Sequence, residues 1–205
     1  MIKHLASCPA RQGTITSSDA GPGESALLYH LQVRDAWSGE FWLNLEVRGS
    51  ATLDHIDRYL RAIWLECCGH MSRFSFGGWS GEEISKRRRV ERVFEVGAEL
   101  THIYDFGTES VTLIKAVDLR KGKPTTRHPI ALMARNLSPE EACIECGAPA
   151  KWLCVECLYE DDVWGVLCDE HAETHPHDNY GEPMPLVNSP RVGMCGDVSP
   201  AESPY

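Results

Sequence analysis

Polar and apolar residues alternate one by one over two adjacent stretches of the chain. Tyr29, Leu31 and Val33 interleave with His30, Gln32 and Arg34, and Phe41, Leu43, Leu45 and Val47 interleave with polar partners. Period two over such runs marks half-buried strands, and the segment from Asp35 to Gly39 between them predicts a β-hairpin. The period then changes. Leu53, Ile56, Leu60, Ile63 and Trp64 recur at helical spacing, with Thr52 placed to cap the helix and Asp54 and Asp57 in its first turn. Gly69 is the expected stop. One stripe of this helix should face the hairpin, with Arg58 and Arg61 facing water. Further short strands are expected near Arg73–Phe76, Leu100–Tyr104, Val111–Asp118 and Ile130–Ala134, the middle two flanking a turn at Gly107. Hairpins packed on one long helix predict an α+β fold with an antiparallel sheet.

The pattern also divides the chain. Residues 1–25 are small and polar, with a Gly21-Pro22-Gly23 break, and read as a loose leader. Residues 26–136 form the α+β domain. Asn136 to Glu140, with Pro139, marks a boundary, beyond which regular periodicity fades. Residues 137–205 are too few to build a large apolar core, and segments this small often depend on a metal staple.

Composition narrows the class. Of 205 residues 42% are hydrophobic and 24% charged, close to a soluble globular average, which argues against wholesale disorder. No apolar run approaches the roughly 18–20 residues of a membrane span. Residues 1–10 do not read as a secretory signal, so the expected compartment is the cytoplasm, with no membrane partner. Residues 1–136 carry 18 Lys and Arg against 16 acids, whereas residues 137–205 carry only Lys151 and Arg191 against 14 acids. A phosphate-gripping module shows the opposite balance, so the C-terminal third is a poor nucleic-acid binder.

Nine cysteines in a chain read as cytoplasmic are not a disulfide framework. Cys143, Cys146, Cys154, Cys157, Cys168, His171, His175 and His177 follow the spacing C-x2-C-x7-C-x2-C-x10-C-x2-H-x3-H-x-H. Each C-x2-C turn offers two thiolates to adjacent corners of a zinc tetrahedron, and eight donors make two closed, structural zinc sites. The ligand pairs can alternate in a cross-brace, with Cys143, Cys146, Cys168 and His171 on one ion and Cys154, Cys157, His175 and His177 on the other. They can also run sequentially, with the four early cysteines on one ion. The short gap between the C-x2-C turns favours the cross-brace. The spacing resembles the B-box class of zinc fingers, but departs from it in the ten-residue gap before Cys168 and in the close final histidines. The three histidines favour zinc over an iron–sulfur cluster.

Several stretches together resemble the pRiA plasmid ORF-three family, named for the third open reading frame of a root-inducing plasmid. They are Trp64-Leu65-Glu66-Cys67-Cys68-Gly69-His70, then Phe74, and Tyr104-Asp105-Phe106-Gly107. The tail Asn188-Ser189-Pro190-Arg191, with Gly193 and Cys195-Gly196, is similar to a zinc-bearing subgroup of it. The resemblance covers roughly residues 27–196. It implies the α+β domain and little chemistry, because the family's biochemical role is mostly unassigned.

Other residues admit two uses. Cys67, Cys68 and His70 could belong to a third metal site, but residues of this kind at a helix end are more often packed in a core. His102 and Tyr104 share one strand face, which Asp105 leaves, and Asp105 beside Gly107 is expected to hold the turn rather than act as an acid or base. Lys86, Arg87, Arg88 and Arg89 form the one concentrated basic run, suited to phosphate or to an acidic partner surface; a solvated loop is the commoner use. The six tryptophans are mostly expected in cores. Trp164, beside Glu160-Asp161-Asp162 on the insertion before Cys168, is the exception and would make a partner-binding tip. Three functions follow in order of preference. The first is a non-catalytic zinc-binding adaptor with a protein partner. The second is a nucleic-acid-associated protein of a mobile element using Lys86–Arg89. The third is an enzyme with a site near His70, His102 and Asp105.

Overall fold

The computed structural model describes residues 1–205 apart from 65, 67, 177 and 178. The chain opens with helices α1 (Ile2–Ser7) and α2 (Pro9–Ala20), followed by strands β1 (Ala26–Asp35) and β2 (Trp42–Arg48). Helix α3 (Leu53–Ile63) leads to β3 (Ser72–Ser75), β4 (Glu83–Ile84), β5 (Glu99–Tyr104), β6 (Ser110–Gly122) and β7 (Ile130–Arg135). A smaller set comprises β8 (Trp152–Cys154), α4 (Val155–Glu160), β9 (Gly165–Leu167), α5 (Asp169–Thr174) and β10 (Met184–Pro185). The fold is α+β. One antiparallel sheet runs β4-β3-β5-β6-β1-β2-β7 and a second runs β10-β8-β9. No helix among the described residues is long and apolar enough to cross a membrane.

The β1–β2 hairpin pairs Leu31 with Leu45 and Val33 with Leu43, which puts the alternating apolar residues on one face. Helix α3 lays Leu53, Ile56, Leu60 and Ile63 on that face, where all four are fully buried with Phe74, Leu100 and Ile114. Its N-terminus carries a capping box between Thr52 and His55, and Leu53 N–H and Asp54 N–H donate to the carbonyls of Arg88 and Lys86 at 3.0 and 2.9 Å. The basic run therefore completes the cap of α3 with its backbone. The helix ends at Trp64, short of Gly69, because Trp64 turns into the core with φ −125°. Gly69 instead takes a left-handed conformation in the following loop.

Three further expectations need correction. Residues 1–25 are not simply a loose leader, since α1 and α2 pack on the outer face of the sheet. Arg11 Nε reaches Met133 Sδ at 3.3 Å, and Lys123 N–H donates to Asp19 at 2.7 Å. The segment lacks an apolar stripe, which is why its sequence gives no helical signal. Arg61 does not face water: its Nε donates to the buried Asp57 carboxylate at 2.8 Å. Trp37 and Trp79 are exposed rather than cored, and Trp79 is held at the surface by Glu109 and by edge contact with Phe106.

The chain after β10 returns to the large sheet as a strap. Asn136 and Asn188 clasp each other through both amides, at 2.7 and 2.8 Å. Ser189 Oγ donates to Trp64 C=O, Arg135 Nη1 donates to Ala201 C=O, and Tyr205 stacks on His128. Residues 141–185 thus form an excursion between β7 and a strap that belongs to the larger sheet.

Candidate metal centre

The excursion is built around sulfur. Cys143 and Cys146 lie on a turn closed by Gly147 N–H to Cys143 C=O at 2.8 Å, with Gly147 in the left-handed region. Cys168 is the N-cap of α5 and His171 follows in that helix. Cys143, Cys146, Cys168 and His171 bring one donor atom each within 4.8 Å of one another. Cys146 Sγ is 3.8 Å from Cys168 Sγ, and His171 Nδ1 is 3.7 Å from Cys143 Sγ and 3.2 Å from Cys168 Sγ. Donors about 2.0–2.3 Å from a tetrahedral ion stand roughly 3.5–3.8 Å apart, so this set fits one ion. Burial would raise the Cys143 thiol, but the N–H groups of Cys168, Glu145 and Cys146 bring it down to about 6, which favours the thiolate that ligation requires.

Cys154, at the end of β8, caps α4 by accepting from Cys157 N–H at 3.4 Å. Cys154, Cys157 and His175 form a second convergent group, with His175 Nε2 3.0 Å from Cys157 Sγ. The far nitrogen of His175 lies 3.4 Å from Glu145 Oε1. A carboxylate behind an imidazole fixes its tautomer and direction, so an acid from the first turn orients a donor of the second group. His177, also expected as a ligand, lies outside the described residues. The two groups take alternate ligand pairs along the chain.

Gly165 lets β9 pass against the second group. A Cβ there would stand 2.5 Å from Cys157 Cβ and 3.3 Å from Cys154 Cβ. Gly165→Ala is expected to cost about 1–3 kcal/mol through overpacking. Thermal unfolding should show a lowered transition.

The remaining sequence candidates fall elsewhere. Cys67 lies outside the described residues. Cys68 and His70 are not packed in a core: both are exposed, and with Cys195 they form a third group placed to hold a metal ion. Cys195 sits 125 residues beyond His70, a partnership that spacing along the chain does not reveal. His102 is fully buried, 3.0 Å from Asp57 and 3.9 Å from Glu66. Asp105 holds its turn by accepting from Gly107 and Thr108 N–H groups and pairs with the buried Arg191 at 3.1 Å. Lys86 turns inward to Asp57 at 3.4 Å, leaving Arg87, Arg88 and Arg89 exposed. Trp164 is 39% exposed and stands at the edge of a cavity of about 860 Å³. That cavity is lined by Phe41, just before β2, and by Glu141, Pro149, Leu186 and Val192.

No family model matches the chain, and no curated protein is similar to it. A crystal structure of a protein of unknown function from Methanosarcina mazei Go1 is similar at 16% identity and a TM-score of 0.46, covering 54% of this chain and 69% of that one.

Proposed function

We propose that the protein is a non-catalytic, zinc-binding interaction protein. Two structural zinc ions hold residues 141–185 as a platform beside the α+β domain, and that platform presents a surface to a protein partner. The observation that carries this reading is the four-donor set of Cys143, Cys146, Cys168 and His171. Four protein donors fill a zinc tetrahedron, and a filled tetrahedron staples a fold, whereas a catalytic zinc keeps a position open. Thiol donors of this number also suit a reducing, cytoplasmic setting. The resemblance to the pRiA plasmid ORF-three family belongs to the same proposal, since it brings an α+β domain and no assigned reaction. The groove between Phe41 and Trp164 is the surface offered: it is concave, draws on both parts of the chain, and carries an exposed tryptophan beside the acids Glu160, Asp161 and Asp162. Aromatic anchors at concave sites dominate protein interfaces.

Chemical cross-linking in the native host, followed by purification of wild type and Trp164→Ala, tests the reading. Proteins cross-linked to wild type should be lost with Trp164→Ala while its metal content stays the same. Retention of the same proteins by the variant would overturn the assignment of the groove. Recovery instead of nucleic acid, bound at about 50 mM salt and released as salt rises, would replace the reading with one based on Arg87–Arg89.

A further inference from the structure

Cys68 and His70 lie in the loop that follows α3, and Cys195 lies on the C-terminal strap. Their two sulfurs and one imidazole nitrogen lie within 4.8 Å of one another, well apart in sequence from the donors of residues 141–185. We infer that Cys68, His70 and Cys195 hold a third metal ion, of the zinc class, that clips the strap to the loop after α3.

The geometry supports this on both sides of the imidazole. His70 Nε2 stands 3.6 Å from Cys195 Sγ, about the separation of a thiolate and an imidazole sharing one tetrahedral ion. His70 Nδ1 stands 3.7 Å from Asp105 Oδ1. Asp105 is itself fixed by two backbone N–H groups and by Arg191. The imidazole therefore has thiol sulfur on one side and an anchored carboxylate on the other, the arrangement that orients ligating histidines. His175 shows the same pattern, with Cys157 on one side and Glu145 on the other.

The backbone repeats a second device. In the first donor group, Cys146 is followed by Gly147 at φ 75°. Cys68 is followed by Gly69 at φ 74° and Cys195 by Gly196 at φ 65°. A left-handed glycine directly after each thiol residue lets the chain turn sharply there. Cys195 and Asp105 also take positive φ, 57° and 60°, a conformation that side chains other than glycine adopt at a cost and that gathers at functional sites. Two sulfurs and an imidazole suit zinc or copper(I) and do not suit magnesium or calcium.

The same two thiols could instead be joined as a disulfide, in which His70 would have no part, and this separates the two outcomes. The full chain, kept reduced, loaded with zinc and desalted, is assayed for metal by elemental mass spectrometry. Cys195→Ser and His70→Ala are each expected to hold one zinc fewer per chain than wild type. Cys143→Ser should lose zinc from residues 141–185 and still lose one more when combined with Cys195→Ser, so the third ion is read independently of the proposed adaptor. All three donors are exposed, and both single variants should keep the wild-type thermal transition of the large sheet. Cobalt(II) gives a reading on the unaltered chain, in which thiolate charge-transfer absorbance should contain a component that Cys195→Ser removes. Equal zinc in wild type, Cys195→Ser and His70→Ala overturns the inference. So does loss with Cys195→Ser but not with His70→Ala, or recovery of Cys68 and Cys195 as a disulfide from the reduced preparation.

Discussion

Serine in place of Cys143 is expected to unfold residues 141–185 and leave the seven-stranded sheet folded. The excursion has little apolar core of its own. Its buried side chains are mainly the cysteines with Leu167 and Ala172, and a second small cluster of Leu153, Val166 and Met184 that Val192 of the strap completes. One short three-stranded sheet's worth of hydrogen bonds and these few residues do not offset the chain entropy of ordering the segment. On the proposed reading zinc ligation supplies the difference, since an apparent binding energy of about 10–16 kcal/mol for a structural zinc at pH 7 is large enough to decide whether such a segment folds at all. The larger sheet is independent of it, because β1 to β7 enclose their own core with α3. Hydrogen exchange read by mass spectrometry should show protection lost in β8, α4, β9 and α5 and retained in β1, β5 and β6. Loss of protection across β5 and β6 as well would show that the two parts fold as one unit, and retention throughout would show that metal is not the staple.

The second large effect is expected at Asp57. Its carboxylate is buried, and it takes Arg61 Nε at 2.8 Å, His102 Nε2 at 3.0 Å and the Ser72 hydroxyl, with Lys86 Nζ at 3.4 Å. Asp57→Ala leaves Arg61 and Lys86, both largely covered, without the carboxylate they pair with. Removing one partner from a buried ionic group costs about 3–5 kcal/mol, and a denaturant midpoint measured at neutral pH should fall accordingly. The wild type should also be acid-labile in a defined way. Burial tends to raise the Asp57 carboxyl, but the hydrogen bonds from His102, Ser72 and Arg61 outweigh it and hold the group well below the usual carboxylate range. A depressed acid stabilises the fold fully above its unfolded pKa, near about 4, and loses that contribution as pH falls toward the native value. The stability gap between wild type and Asp57→Ala should therefore be constant from neutral pH down to about 5 and narrow below about 4. A gap that does not change with pH would show that Asp57 is not the ionised centre of the cluster.

How much of this was readable beforehand depends on range. The β1–β2 hairpin and α3 declare themselves because burial on one face imposes period two on Leu31, Val33, Leu43 and Leu45 and helical spacing on Ile56, Leu60 and Ile63. The donors from Cys143 to His175 declare themselves because both partners of each turn are local. The polar face of the hairpin misleads. His30, Asn44 and Glu46 read as solvent-facing, yet they are buried. His30 bonds Asn44 at 2.8 Å, Glu46 takes Arg120 and Thr125, and α1 and α2 lie over this side of the sheet. Asp57 and Arg61 read as an ordinary exposed pair four residues apart, and only the arrival of β3 and β5 with Ser72 and His102 turns that pair inward. Cys195 fails for the same reason, because its partners are joined to it by topology alone. Local chemistry is legible in a sequence, and chemistry completed across the fold is not.

Arg191 is 1% exposed, and its guanidinium satisfies Thr108 C=O, Ser110 Oγ and Asp105 at once. Synthesis runs from residue 105 to residue 191, so the sheet that carries Asp105 is complete long before the arginine that neutralises it has been made. Between the two lies the cysteine-rich excursion, and while it is unfolded the strap has a longer flexible loop to close before it latches. A contact that joins residues so far apart forms slowly, and folding of the intervening chain around the proposed ions would shorten the loop to be closed. On the proposed zinc-bound reading, metal supply would set the tempo at which a newly made chain closes. A chain starved of metal would reach the same latch more slowly, with its sheet formed and Asp105 uncompensated for longer.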